Sequence, residues 1–118
     1  MKRMLLYLII TALVGCNKKE MSHTETAKIV AESFYHEDNA TLKKYTTADI
    51  YANFMTIQGL YSGEEDINFQ IVGEKVGDQT AWVKFTTSFS DEPEIFKIIK
   101  EEGRWKVTER QPGEKDPF

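Results

Sequence analysis

Apolar positions change their spacing along this chain, and each change marks a boundary. Residues 4–14 form a short apolar stretch, interrupted only by Thr11, behind the basic pair Lys2 and Arg3, and residues 17–22 are polar without any apolar period. Ala27, Val30, Ala31 and Phe34 then recur three and four apart, which predicts a first helix over 23–36. Ser22-His23-Thr24-Glu25 fits a capping box at its start, the serine hydroxyl and the glutamate carboxylate each serving a free amide of the first turn. A second helix is predicted over 40–45 with Asn39 as its cap, and a third over 48–58 carrying Ile50, Phe54 and Ile57. From residue 67 the period shortens to two. Ile67, Phe69 and Ile71 alternate with Asn68 and Gln70 in a strand that runs to Val76, and Gly77-Asp78 marks a hairpin turn. Ala81, Val83, Phe85, Thr87 and Phe89 alternate with Trp82, Lys84, Thr86 and Ser88 in a second strand. Asp91-Glu92-Pro93 is expected to turn the chain into a third strand over 94–100, with Phe96 and Ile98 on one face. Glu102-Gly103 turns again, and Trp105 and Val107 mark a fourth strand. Helices followed by a four-stranded meander make an α+β fold, the N-terminal helices packed on one face of a curved antiparallel sheet.

The opening run carries a second message. Residues 4–14 span about half of the ~20 residues a membrane-crossing helix needs. A basic start, a short apolar core and small residues at its end make an export signal instead. It ends in Leu13-Val14-Gly15-Cys16, and Cys16 is the sole cysteine. These four residues resemble the lipobox of bacterial lipoproteins. That resemblance implies cleavage between Gly15 and Cys16 and acylation of the Cys16 thiol, with the lipid bilayer as the partner it engages. Asn17 in place of aspartate after the cysteine implies transport to the outer membrane of a double-membraned bacterium. The expected organisation is a signal peptide over 1–15, the lipidated cysteine and tether over 16–22, one α+β domain over 23–110 and a frayed tail over 111–118.

Composition narrows the partners. The 118 residues carry a net charge of −4, and loss of Lys2 and Arg3 with the signal makes the mature chain more acidic still. Nucleic acid, whose phosphates want a basic face, is excluded as a partner. With Cys16 acylated no thiol remains for a disulfide, for redox work or for thiolate metal binding. The two histidines, His23 and His36, are far apart in sequence and make no zinc site, and no metal or cofactor is expected.

The second half, with TAWVKFTTSF followed by FKIIKEEGRWKV, resembles the small lipoproteins with a DUF4878-type domain, within the NTF2-like or cystatin-like roll superfamily. The segment AKIVAESFYHEDNATLKKYTT is similar to that family's opening helices. The resemblance implies a fold that hosts enzymes with an inward carboxylate as base and a tyrosine as oxyanion donor. Phe69, Ile71, Val83, Phe85, Phe96, Ile98, Trp105 and Val107 are expected to point inward, and no ionisable side chain stands among them. Asp49 with Tyr51, and His36 beside Tyr35, are the best acid–base material, and each has a plain structural explanation as a cap or a packed ring. No catalytic residue is assigned.

Trp82 falls on the opposite face, as do Ile95 and Ile99 on the third strand. Either that face is an apolar patch open to a partner, or a terminal segment covers it. Phe85 and Trp105 are the matching candidates on the inner face. The function expected is that of an envelope lipoprotein, not an enzyme, that binds an envelope protein or a small apolar ligand. The alternatives are a small hydrolase or isomerase with a shallow pocket, and an immunity or inhibitor lipoprotein encoded beside a toxin.

Overall fold

The structure, a computed structural model, describes residues 21–61, 63 and 65–118. The signal, Gly15 and Cys16 lie outside the described residues. No helix among those described is long and apolar enough to cross a membrane.

The first helix, α1 (His23–Tyr35), starts at the predicted capping box: Glu25 N donates to Ser22 Oγ and Ser22 N to Glu25 Oε1. Thr26, Ala27, Val30, Ala31 and Phe34 form its buried stripe. A short helix, α2 (Asn39–Lys44), follows. Its cap is Asp38 rather than Asn39, because Asp38 Oδ1 accepts the Thr41 amide at 3.3 Å. The third helix, α3 (Ala48–Ile57), runs into a 3-10 turn over Gln58–Leu60 and buries none of its side chains fully.

Four strands follow, β1 (Gln70–Val76), β2 (Thr80–Thr87), β3 (Ser90–Glu101) and β4 (Arg104–Thr108), antiparallel and in chain order across one sheet. Residues 45–47 run along the outer edge of β4, with Thr47 N donating to Val107 O and Val107 N to Tyr45 O, each at 2.9 Å. This satisfies backbone groups that an edge strand would otherwise expose. The core lies between α1 and the inner face, where Ala81, Val83, Phe85, Ile98 and Val107 are fully buried, with Ile67 and Leu42 closing its ends.

Two expectations about the strands need correction. The turn after β2 is at Ser88-Phe89, with Thr87 paired to Ser90, and not at Asp91-Glu92-Pro93. Pro93 sits inside β3. It is tolerated because β4 pairs only with Lys97–Glu101, so the earlier part of β3 has no second neighbour and needs no amide from Pro93. In β1 the register shifts between Ile71 and Gly73. Ile71 pairs with the buried Phe85 but stands on the sheet edge and is 42% exposed, so it does not join the core. Beyond the bulge Glu74, opposite Val83, takes the inward place and meets His23 at the start of α1.

The outer face of the sheet is covered by the chain's own end. Lys97 Nζ bonds Glu114 Oε1 at 2.8 Å and Arg110 bonds Asp116 at 3.0 Å. The Lys97 bond, and then the Gln111 amide, hold the Glu114 carboxyl below its usual range. The Arg110 guanidinium lies 5.5 Å from the Trp82 ring, and Lys84 Nζ lies 5.7 Å from the Phe118 ring. Gly73 leaves room for that ring, since a Cβ there would come within 3.0 Å of it. Residues 111–118, expected to fray, thus carry named contacts.

Candidate functional site

Register decides what faces inward. Phe85 pairs with Glu94, Val83 with Phe96 and Ala81 with Ile98, so Glu94 shares the inner face with the core. That face was expected to carry no ionisable group; it carries this carboxylate. Across from it, the last residue of α1 presents Tyr35, whose hydroxyl donates to Glu94 Oε2 at 3.3 Å. The tight turn after β2 brings Phe89 onto Tyr35, the rings stacked with centroids 4.7 Å apart and 19° between planes.

These residues line a cavity of about 320 Å³ bounded by Ala31, Phe34 and Tyr35 of α1, Phe54 and Ile57 of α3, Tyr61 beyond the 3-10 turn, and Phe85, Phe89, Ser90, Glu94 and Phe96 of the sheet. Its inner end is the buried core. Its mouth is rimmed by Ile57, Tyr61 and Phe89, each more than a third exposed. The loop after α3 is held over the end of α1 by Gln58, whose amide donates to Phe34 O at 2.9 Å and Asn39 Oδ1 at 2.8 Å. Gly63 N adds a bond to Tyr35 O at 2.7 Å. The Tyr35 backbone is therefore fixed, and so is the direction of its ring. A second, more open hollow of about 380 Å³ lies towards the chain end, beside Ile50, Ile95, Lys97 and Arg110.

The electrostatics of the pair follow from burial. Desolvation raises the Glu94 carboxyl above its usual value, and the hydrogen bond from Tyr35 partly offsets this. Desolvation, and then the nearby Glu94, push Tyr35 up to about 12. Tyr35 therefore stays a hydrogen-bond donor at neutral pH, and Glu94 can accept a proton or a second hydrogen bond. A folded-state pKa above the unfolded one means that this group's contribution to stability is complete below the ordinary carboxylate value and is lost as pH rises through the folded value. Glu94→Gln is expected to stabilise the fold at pH 8 by about 0.5 kcal/mol, the partial solvation of the group being allowed for, and to have no such effect at pH 4. Urea midpoints at the two pH values check it, and equal shifts at both would show that burial of the charge is not what the substitution relieves.

Of the residues singled out in the sequence, Phe85 forms part of the cavity wall. Trp105 is on the inner face too, but at the other end of α1, edge-on to His23 with centroids 5.9 Å apart. Trp82, Ile95 and Ile99 stand half-buried on the outer face, and it is the C-terminal segment that covers Trp82. His36 is exposed and bonds the Glu65 carbonyl at 2.9 Å, and Asp49 is exposed in the first turn of α3. Neither lines the cavity. Tyr51 packs against the core. In the pair that does meet, Tyr35 was weighed only as the neighbour of His36, and Glu94 was not singled out, although it has the same strand parity as Phe96 and Ile98.

No protein-family model matches the sequence, and no curated protein matches it. Among solved structures, the chain resembles a Campylobacter jejuni protein named as a candidate NTF2-like transpeptidase, at 11% identity and a TM-score of 0.65, over 76% of this chain and 100% of that one. At that identity the likeness speaks for the backbone alone: the domain has the NTF2-like α+β fold, helices packed on a four-stranded antiparallel sheet.

Proposed function

We propose that this chain is a lipid-anchored protein of the bacterial envelope, held through Cys16 and sorted to the outer membrane, whose NTF2-like domain binds a small, largely apolar ligand and does no chemistry on it. The observation that carries the ligand reading is the cavity: aromatic rings from α1, α3 and both central strands surround one hydrogen-bonded pair. Mostly apolar walls with a few convergent polar groups are the ordinary make-up of a small-molecule site. The anchoring reading rests on the lipobox resemblance of residues 13–16. The neighbour's named activity is not carried over. Acyl transfer needs an activated nucleophile, and among the described residues the aliphatic hydroxyl lining this cavity, that of Ser90, is committed to the Glu92 backbone at 2.9 and 3.3 Å.

The test uses Ile57, which lines the cavity yet is 40% exposed, so that a larger side chain narrows the mouth without entering the core. Amide resonances of Tyr35, Phe89 and Phe96 are expected to shift on titration with 2-phenylethanol, and Ile57→Trp to weaken that binding about tenfold. Shifts confined to residues outside the cavity, or equal binding by the variant, would refute the site.

A further inference from the structure

The charge of the cavity points further than its size does. Among the described residues Glu94 is the one acidic side chain that lines it, and no Lys, Arg or His does. Among the described residues Glu94 makes no ion pair; its bond is to the neutral hydroxyl of Tyr35. The neighbouring cations are engaged on the far face, Lys97 with Glu114 and Arg110 with Asp116. A carboxylate drawn partly out of water without a counter-charge is a cost to the fold. The same cavity is lined by the rings of Phe34, Phe54, Phe85, Phe89 and Phe96, and the face of a ring carries the negative end of its quadrupole. Carboxylate and ring faces attract the same sign of charge.

We propose that the cavity's ligand is an organic cation, an apolar body bearing one ammonium group, seated with its charge against Glu94 and its body among Phe34, Phe54, Phe85 and Phe89. The inference rests on the cavity being a ligand site and adds the class of ligand. Glu94 Oε2 accepts from Tyr35, which leaves Oε1 to accept an ammonium N–H. Tyr35 remains protonated in the physiological range, so the site presents one negative charge and not two. The titratable groups lining the cavity are Tyr35, Tyr61 and Glu94. Among the described lining residues Glu94 is the carboxyl, and a carboxyl loses its charge towards acid pH. A carboxylate-bearing ligand of the same shape would meet like charge, and an uncharged one would gain burial alone.

Full-length protein in detergent micelles, titrated calorimetrically with 2-phenylethylammonium, 2-phenylethanol and phenylacetate at matched ionic strength, separates the cases. At pH 8 the ammonium is expected to bind about tenfold more tightly than the alcohol, and phenylacetate more weakly than either. That ammonium-over-alcohol preference is expected to fall to about one in Glu94→Gln, and to fall in the unsubstituted protein as the pH is lowered from 8 to 4 and the Glu94 carboxylate takes up its proton. Equal binding of ammonium and alcohol at pH 8, or a preference that survives Glu94→Gln, would overturn the cation assignment while leaving a cavity that binds apolar ligands. Failure of all three compounds to bind would overturn both readings together.

Discussion

Phe85→Ala is expected to lower the stability of the domain by about 3–5 kcal/mol, the range for emptying a buried aromatic site. Phe85 is fully buried at the centre of the inner face. Its ring lies 4.7 Å from Phe69, the residue before β1, and 4.7 Å from Phe96 on β3, so it links the approach to the edge strand with the middle of the sheet. The loss falls on both sides of the ring at once. One side is packed against the core, where a cavity cannot collapse without moving strands; the other already borders the open site, where Phe54 and Phe96 can shift. That second side argues for the lower half of the range. Against a total of about 5–15 kcal/mol for a domain of this size, a loss in that lower half removes roughly a fifth to four-fifths of the stability. Urea denaturation measures it: the midpoint falls and the slope stays the same. A loss below about 1 kcal/mol would show that the helices close over the sheet without this ring, and the account of the core would be wrong.

The helices were legible in the sequence because their signals are local. The α1 stripe and its capping box lie within one segment, and both stand where the pattern put them. The cap of α2 moved by one residue because Asp38 and Asn39 are both good caps and only the geometry chooses Asp38, whose carboxylate reaches Thr41 N. The strands were legible in number and order but not in their ends. Pro93 looks like a turn residue when a strand is assumed to have two neighbours, and this part of β3 has one. Moving the turn to Asp91–Pro93 hid Glu94 as the first residue of a strand, when parity alone sets it with Phe96 and Ile98. Gly73 inside an alternating run was the available sign of the bulge that turns Ile71 to the edge and Glu74 inward. The cavity had no such sign. It exists because α3 buries no side chain fully and so stands off the sheet, leaving room between Phe54 and Phe85. A helical period shows which face of α3 is apolar, and not how closely that face is pressed down.

Cys16→Ser is expected to abolish labelling by a radioactive fatty acid and to move the protein out of the membrane fraction or leave it uncleaved. A thiolate attacks where a serine hydroxyl, without a base to activate it, does not. Each buried methylene contributes about 0.8 kcal/mol, one acyl chain alone holds marginally, and two or three hold effectively for good, so losing the thiol removes the attachment and not merely part of it. No helix among the described residues is long and apolar enough to span a bilayer. The consequence for the site is a separation of roles. The tether enters α1 at His23, whereas the cavity begins at Ala31 and is built around Tyr35 at the other end of the helix. At 1.5 Å per residue that places roughly 12–18 Å of rigid helix between anchor and ligand, and residues 17–22 add up to about 20 Å of extended reach. On the proposed anchoring, that length of chain separates residue 16 from the mouth rimmed by Ile57, Tyr61 and Phe89, and the serine variant is expected to keep the ligand preference of the parent. Label retained by the variant would refute the lipobox reading of residues 13–16. It would leave the cavity untouched, since every residue that lines it lies beyond the tether.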